Sequence, residues 1–238
     1  QTVLAETYYN LEIDGSGAKS MAGDVSVSND LTLSAGTFEL GSDDLKLWGD
    51  MTGSGSLTAS GNAFFHLKGT GSQSINAFSD NSIKIKVNNP GGTVTTTGDI
   101  DADYIWMQSN AGTFVIDGEA VSVDRKLDVD GGTFRMTGGS FINISNTSTN
   151  NMCDGGTIDI QGGTFNIGDP TDNQADLNIG GGTLTVSGSG TVNIADELDV
   201  STGTVTQTGG TINIAYYTGT GSGSSDNKFD MDAGTLNL

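Results

Sequence analysis

Three aspartates occupy alternate positions in the stretch Asp-Ile-Asp-Ala-Asp, which spans positions 99 to 103. Successive side chains of a β-strand point to opposite sides, so Asp99, Asp101 and Asp103 share one face of a straight strand. Carboxylate oxygens are the hard ligands that Ca²⁺ prefers, which makes these residues a candidate calcium site. The EF-hand loop is not matched, because Tyr104 stands at its glycine position and Asn110 at its bidentate glutamate position. The alternative interpretation is a solvated acidic strand face.

A second group of charges lies at positions 124 to 130. Asp124, Asp128 and Asp130 form a weaker candidate for cation binding. The run Asp-Arg-Lys-Leu-Asp at positions 124 to 128, together with Arg135, also combines acidic and basic side chains. Polysaccharide lyases and hydrolases with solenoid folds use such combinations on an outer sheet. A charged corner without catalytic activity is the alternative.

His66 is the only histidine and Cys153 the only cysteine of the chain. His66 lies between the apolar residues Phe65 and Leu67. A Ser-His-Asp triad or a zinc site needs partner residues that this chain lacks. We therefore interpret His66 as a surface residue on a strand. A single cysteine cannot form an intrachain disulfide.

Two further surfaces are candidates for binding. Aromatic residues that can stack on sugar rings, or instead cover the core, are Trp48, Tyr104, Trp106, Tyr216 and Tyr217. Threonine arrays of the kind that match ice occur at Thr93, Thr95, Thr97, Thr204, Thr206 and Thr208. We expect Arg135 and Asp159 to occupy equivalent positions in other coils and to interrupt a flat array.

The elements that must position these residues are short strands opened by a glycine turn. One phrase, Gly-Thr followed by apolar, polar and apolar residues, recurs at 155–160, 162–167, 181–186, 190–194 and 209–214. This alternation predicts strands with one buried side. Phe114 and Ile116, for example, should point inward, while Thr113 points outward into a threonine ladder. Ile100 and Ala102 are out of phase with Ile105 and Met107, which predicts a bulge or corner between the two pairs.

The glycines also set the repeat length. Gly92, Gly112 and Gly132 are 20 residues apart, and the intervals to Gly156 and Gly182 are 24 and 26 residues. Such a period, holding about three strands, is typical of a solenoid. We expect an all-β fold, a right-handed parallel β-helix (β-solenoid) of about ten irregular coils of roughly 20–25 residues with three short strands each. The chain would be one solenoid segment, residues 1–238, of a longer repeat protein, with loops at 145–151, 168–174 and 218–228.

The composition excludes several classes of function. The chain has 29 acidic and 9 basic residues, a net charge of −20. Nucleic acids and anionic membrane surfaces require clusters of Lys and Arg, so we expect no nucleic-acid partner. No apolar run approaches the ~18 residues of a membrane span, so we expect no membrane insertion.

Four phrases in the first third of the chain are distinctive: YYNLEIDGSGAKS (8–20), LTLSAGTFELG (31–41), GSGSLT (53–58) and KGTGSQSI (68–75). Through these phrases, residues 7–75 resemble the repetitive surface proteins that Bacteroidota export through the type IX secretion system. The resemblance implies a β-solenoid stalk in a secreted adhesin or filament-like protein at the bacterial cell surface, including those of gliding bacteria. Passenger domains of Gram-negative autotransporters have similar Gly-Gly-Thr repeats and are the alternative family.

We therefore expect a non-catalytic structural rod of an exported, extracellular bacterial adhesin. Its partners would be other segments of the same surface protein and, secondarily, surface glycans. No cofactor is expected beyond the candidate calcium. The alternatives are a carbohydrate-binding or polysaccharide-degrading β-helix module and, less favoured, an ice-binding solenoid.

Overall fold

The computed structural model describes residues 1–144, 151–168, 175–218 and 228–238. These residues form β-strands, turns and bends, and no helix is present among them. The strands are β1 (Thr2–Val3), β2 (Thr7–Tyr8), β3 (Leu11–Ile13), β4 (Ala18–Met21), β5 (Val25–Val27), β6 (Leu31–Leu33), β7 (Thr37–Glu39), β8 (Leu45–Leu47), β9 (Met51–Gly53), β10 (Ser56–Thr58), β11 (Phe64–Leu67), β12 (Ser72–Ile75), β13 (Phe78–Val87), β14 (Thr93–Thr96), β15 (Ile100–Met107), β16 (Thr113–Ile116), β17 (Ala120–Val129), β18 (Thr133–Met136), β19 (Ser140–Asn143), β20 (Asn151–Cys153), β21 (Thr157–Ile160), β22 (Thr164–Ile167), β23 (Leu177–Ile179), β24 (Thr183–Val186), β25 (Thr191–Val200), β26 (Thr204–Thr218) and β27 (Lys228–Asn237).

The strands stack in parallel on the three faces of a solenoid. The first face begins with the four-stranded ladder of β1, β4, β7 and β10. β10 contacts β13 without pairing to it, and a second ladder of this face runs from the first halves of β13, β15 and β17 to β19, β22, β25 and the ends of β26 and β27. The second face runs from β2 through β5, β8 and β11, the second halves of β13, β15 and β17, and β20 and β23 to β25 and β26. The third face runs from β3 through β6, β9, β12, β14, β16, β18, β21 and β24 to the first halves of β26 and β27. Long strands such as β13 bend around a corner and serve two faces.

Each residue of a ladder pairs with its equivalent one coil further along the chain. Leu45, Phe65, Ile85 and Ile105 are consecutive partners at intervals of 20 residues. The interval lengthens to 26 between Met152 and Asn178. The described residues thus form a parallel β-solenoid of about ten turns, which confirms the predicted fold.

The core is one narrow column of apolar side chains. The residues that point into it are the alternate positions that the Gly-Thr phrases predict to be inward. Phe114, Ile116 and Phe134 are fully buried, whereas Thr113 pairs with Thr133 on the outer side. Where four phenylalanines meet, the ring of Phe134 lies 5.9 Å from Phe114, 5.2 Å from Phe141 and 6.0 Å from Phe165. Stacking like residues on like therefore fills a core only a few side chains wide.

The corners need glycine because coils approach each other closely there. Gly132 has φ of +68°, and a Cβ on it would overlap the carbonyl oxygen of Gly112 in the preceding coil. The bulge predicted within β15 is also present. Tyr104 and Ile105 are both buried, and the pairing with β17 shifts register between Ala102 and Tyr104.

Asparagines form a side-chain ladder on the first face. The Nδ2 group of Asn193 donates to Asn166 at 2.8 Å, Asn213 donates to Asn193 at 2.6 Å, and Asn237 donates to Asn213 at 2.6 Å. In-register stacking makes this possible because identical amides lie one strand spacing, about 4.8 Å, apart. The loops predicted at 145–151, 168–174 and 218–228 lie outside the described residues, except for their end positions, and stay predictions.

Candidate functional site

The three alternate aspartates lie on the outer side of the first face and of the corner that follows it. Asp99 Oδ1 accepts the N–H of Ala120 at 2.8 Å, and Asp103 Oδ1 accepts from Arg125 Nε at 2.7 Å. Asp101 accepts from the Ser79 hydroxyl at 3.2 Å. Each carboxylate is thus bonded to a neighbouring coil.

Within the described ranges, no group of three or more His, Cys, Asp or Glu side chains is placed to hold a metal ion. The structure therefore shows intercoil hydrogen bonding at Asp99, Asp101 and Asp103 and no metal-ligand geometry. Calcium binding there stays a prediction, for which calorimetry with Ca²⁺ is the test.

The charged residues at 124 to 130 are engaged in pairs between and within coils. Arg125 pairs with Asp103 at 2.7 Å, and Lys126 pairs with Asp128 at 2.8 Å. Asp128 also accepts the hydroxyl of Tyr104 at 2.9 Å. Arg135 is on the third face, paired with Asp159 at 2.9 Å. The structure therefore does not bring Arg135 to the acidic residues of the second face.

Basic and aromatic side chains alternate along the outer side of the second face. In one row, Phe64, Lys84, Tyr104 and Lys126 are consecutive partners. In the adjacent row, Lys46 is followed by His66, Lys86, Trp106 and Asp128. We call the cations of this region the basic strip: Lys46, Lys68, Lys84, Lys86, Arg125 and Lys126.

The ammonium groups of the strip rest on aromatic rings. Lys86 Nζ lies 4.5 Å from the ring centroid of Trp106 and 5.5 Å from that of Phe64. Lys84 Nζ lies 5.2 Å from the Phe64 centroid, and Lys68 Nζ lies 5.5 Å from that of Trp48. Contacts of this length attract a cation to the ring quadrupole. Alternation of cation and ring also separates like charges along each row.

Arg125 and Lys126 complete the strip around Tyr104. Their charges lie 5.6 and 5.2 Å from its ring centroid, and the ring stacks beside that of Trp106 with 13° between the planes. Burial and the negative charge of Asp128 raise the pKa of Tyr104, so its hydroxyl stays protonated and donates to that carboxylate.

Aspartates one coil earlier support the start of the strip. Asp24 accepts the N–H of Asp44 at 3.0 Å and pairs with Lys46 at 2.9 Å. In the next coil, Asp44 accepts the N–H of Phe64 at 3.2 Å and lies 2.9 Å from His66 Nε2. Each of the two aspartates therefore bonds the residues 20 and 22 positions later, and this pattern repeats after 20 residues.

His66 differs from the surface residue predicted from the sequence. It is only 9% exposed, because Phe64 and the neighbouring lysines surround it in the ladder. Burial lowers its pKa below the usual 6.5, with Lys86 and Lys46 acting in the same direction, although Asp44 opposes the shift. A neutral imidazole between Lys46 and Lys86 avoids three charges on consecutive coils.

The remaining sequence candidates are scattered. Tyr216 and Tyr217 are exposed several coils beyond Trp106 on the same face, so they do not join the aromatic residues of the strip. On the third face the outer row following Thr95 contains Val115, Arg135 and Asp159 before threonine returns. The interruption of the threonine array by the two charged residues is thus confirmed.

Sequence reasoning missed the basic strip, although a signal was present. Lys46, His66, Lys86 and Trp106 follow one another at intervals of exactly one 20-residue coil. Aligning the sequence on its 20-residue repeat, so that equivalent positions of successive coils are compared, would have placed these four residues next to one another.

No family model matches the chain, and no similarity was found among the curated proteins or the solved structures. Among the described residues, no helix has the length and apolar character needed to cross a membrane.

Proposed function

We propose that this chain is a non-catalytic structural rod of an exported bacterial surface protein, which spaces adhesive parts outside the cell. The observation that carries the proposal is the parallel pairing of each coil with the next, which is continuous on the second and third faces and interrupted on the first face only between β10 and β13. A stack in which every coil is hydrogen-bonded to the next resists bending and stretching far better than a flexible linker.

The chemistry of the surface supports the same role. The basic residues considered for catalysis, Arg125, Lys126 and Arg135, are all used in ion pairs. The pairs of Arg125 with Asp103 and of Arg135 with Asp159 join neighbouring strands, and the pair of Lys126 with Asp128 lies within β17. A net charge of −20 favours solubility at an aqueous exterior. The resemblance of residues 7–75 to type IX-secreted surface proteins supports export by that route and partners within the same large protein.

Pulling on the two ends of single molecules tests the mechanical part of the proposal. A rod keeps its length until coils rupture, and a freed coil of 20 residues adds at most about 70 Å of extended chain. Abrupt steps of this kind at high force support the spacer role. Smooth extension at low force, as for a flexible linker, would overturn it.

Incubation with polyuronates and neutral glycans tests the non-catalytic part. We expect the protein to cleave none of these polysaccharides. Turnover that disappears in Asp124→Asn or Arg125→Gln, while Arg135→Gln retains it, would instead establish a polysaccharide-degrading enzyme.

A further inference from the structure

The basic strip concentrates positive charge in a strongly acidic protein. The whole sequence has nine Lys and Arg residues against 29 Asp and Glu, and six of the nine belong to the strip. Chance placement on a three-faced rod would distribute them over all faces. The concentration on one face therefore calls for a physical reason.

Half of the strip is not neutralised by the protein. Lys46, Arg125 and Lys126 each pair with an aspartate. Lys68, Lys84 and Lys86 have no ion-pair partner in the described part of the chain. Lys84 Nζ donates to the Asn62 side chain, and all three ammonium groups lie over aromatic rings.

Holding these ammonium groups in place has an energetic cost. Lys84 is only 7% exposed, and burial, reinforced by Arg125 and only partly opposed by Asp103, lowers its pKa. Aromatic rings recover part of that cost but carry no net charge. An anion bound across the strip would supply the missing negative charge, and the rings would keep the lysines fixed for it.

The surroundings of the strip select the kind of anion. Asp44, Asp103 and Asp128 lie among the lysines and would repel a ligand whose only polar groups beside the cations are anionic. A carboxylate can accept more hydrogen bonds than these aspartates receive from the protein, so hydroxyl groups of a ligand can bind beside the cations. Anionic groups flanked by many free hydroxyls describe an acidic polysaccharide better than a single-stranded DNA, whose sugars have no free hydroxyl along the chain.

The geometry also suits a linear polymer. The strip spans five consecutive coils, which contain Lys46, then Lys68, then Lys84 with Lys86, then only the rings of Tyr104 and Trp106, and then Arg125 with Lys126. Neighbouring strands are about 4.8 Å apart along the rod axis. An extended glycan chain laid along the second face would therefore meet Lys68 on one coil and Lys84 and Lys86 side by side on the next.

We propose that the basic strip binds an acidic polysaccharide of the polyuronate or sulfated class, whose anionic groups pair with Lys68, Lys84 and Lys86. This binding role goes beyond the rod function and does not depend on it. A rod that spaces adhesive parts and also holds an acidic glycan along one face would adhere laterally to a polysaccharide matrix.

The intrinsic fluorescence of the protein reports on the strip directly, because the only two tryptophans are Trp48 and Trp106, and both contact its lysines. We would titrate the full chain with oligogalacturonate, dextran sulfate, neutral dextran and a single-stranded oligodeoxynucleotide. The expected result is a saturable change with one of the two acidic glycans that weakens as salt is added. Neutral dextran should give no change.

The matched variants are Lys68→Gln/Lys84→Gln/Lys86→Gln on the strip and Arg135→Gln on the third face. The triple variant should raise the dissociation constant about tenfold or more, since charge-assisted hydrogen bonds are the strong ones. Arg135→Gln should leave it unchanged. Lys86→Gln with Lys86→Arg as its charge-retaining counterpart gives the same test if the triple variant does not fold.

Three results would overturn the proposal: no binding of either acidic glycan at low salt, equal loss in the strip and Arg135 variants, or tighter binding of the oligonucleotide. None of them bears on rupture under force, so failure here is distinguishable from failure of the rod function.

Discussion

Replacing Phe134 by alanine removes the ring at the centre of the phenylalanine cluster. The side chain is fully buried and contacts the rings of Phe114, Phe141 and Phe165 on its own and neighbouring coils. The core is too narrow for other side chains to fill the cavity, since each coil contributes only its own inward residues. The substitution should therefore leave an unfilled cavity between three coils.

The magnitude follows from burial and from the ring contacts. Truncating a buried phenylalanine costs about 3–5 kcal/mol, and each aromatic pair adds about 0.5–1.5 kcal/mol beyond burial. With three such pairs, Phe134→Ala should lie at the upper end, at about 5 kcal/mol. Phe38 is equally buried but has no aromatic ring contact among the described residues, so Phe38→Ala should cost about 3 kcal/mol.

Equilibrium unfolding in guanidinium chloride, followed by circular dichroism, measures both variants. The slope with denaturant concentration must stay that of the parent protein for the midpoint shift to give the change in unfolding free energy. A cost below about 2 kcal/mol for Phe134→Ala, or equal costs for the two variants, would refute the stacked aromatic core.

Three further predictions concern a corner, a thiol and a histidine. Gly132→Ala should lower the free energy of unfolding by about 2 kcal/mol or more, and clearly more than Gly91→Ala. Both glycines have φ near +70°, but only a Cβ at Gly132 would meet the backbone of the preceding coil. Equal denaturation midpoints for the two variants would contradict this. Burial raises the pKa of Cys153 to about 11, so a thiol reagent at neutral pH should label it only as fast as the coils open, and immediate labelling would show that it is accessible. The folded-state pKa of His66 lies below its usual 6.5, so the unfolded chain binds the proton first and stability should fall as pH drops below about 6.5. His66→Gln should remove that part of the pH dependence in thermal melts, and an unchanged profile would contradict the burial.

Much of the fold could be predicted because one local pattern, the apolar–polar alternation after Gly-Thr, indicates both where a strand lies and which of its sides is buried. The Gly-Thr phrase at 162–167 predicts a strand that the structure places at Thr164–Ile167, with Phe165 and Ile167 inward. The out-of-phase pairs around Asp103 likewise located the register shift of β15. Both inferences need only the two-residue period of a strand.

The surface chemistry could not be predicted in the same way because it depends on neighbours one coil away. Lys86 gains its environment from Phe64 and Trp106, which are about one coil distant on either side. His66 is buried for a related reason, since Lys46 and Lys86, which flank it beside Phe64, belong to the coils before and after it. A local window around Phe65, His66 and Leu67 contains no sign of either contact.

The most direct test of the coil stack is a set of distances between spin labels on one outer row of the third face. Cysteines at Thr95 and Thr185 lie four coils apart, and replacing the second site by Thr206 or Asp230 adds one coil each time. The solenoid predicts separations of about 19, 24 and 29 Å, an increment of one strand spacing per coil. Electron paramagnetic resonance measures such distances, with Cys153 replaced by alanine to exclude background labelling. Separations that fail to grow with coil number would contradict the in-register stack on which the proposed rod depends.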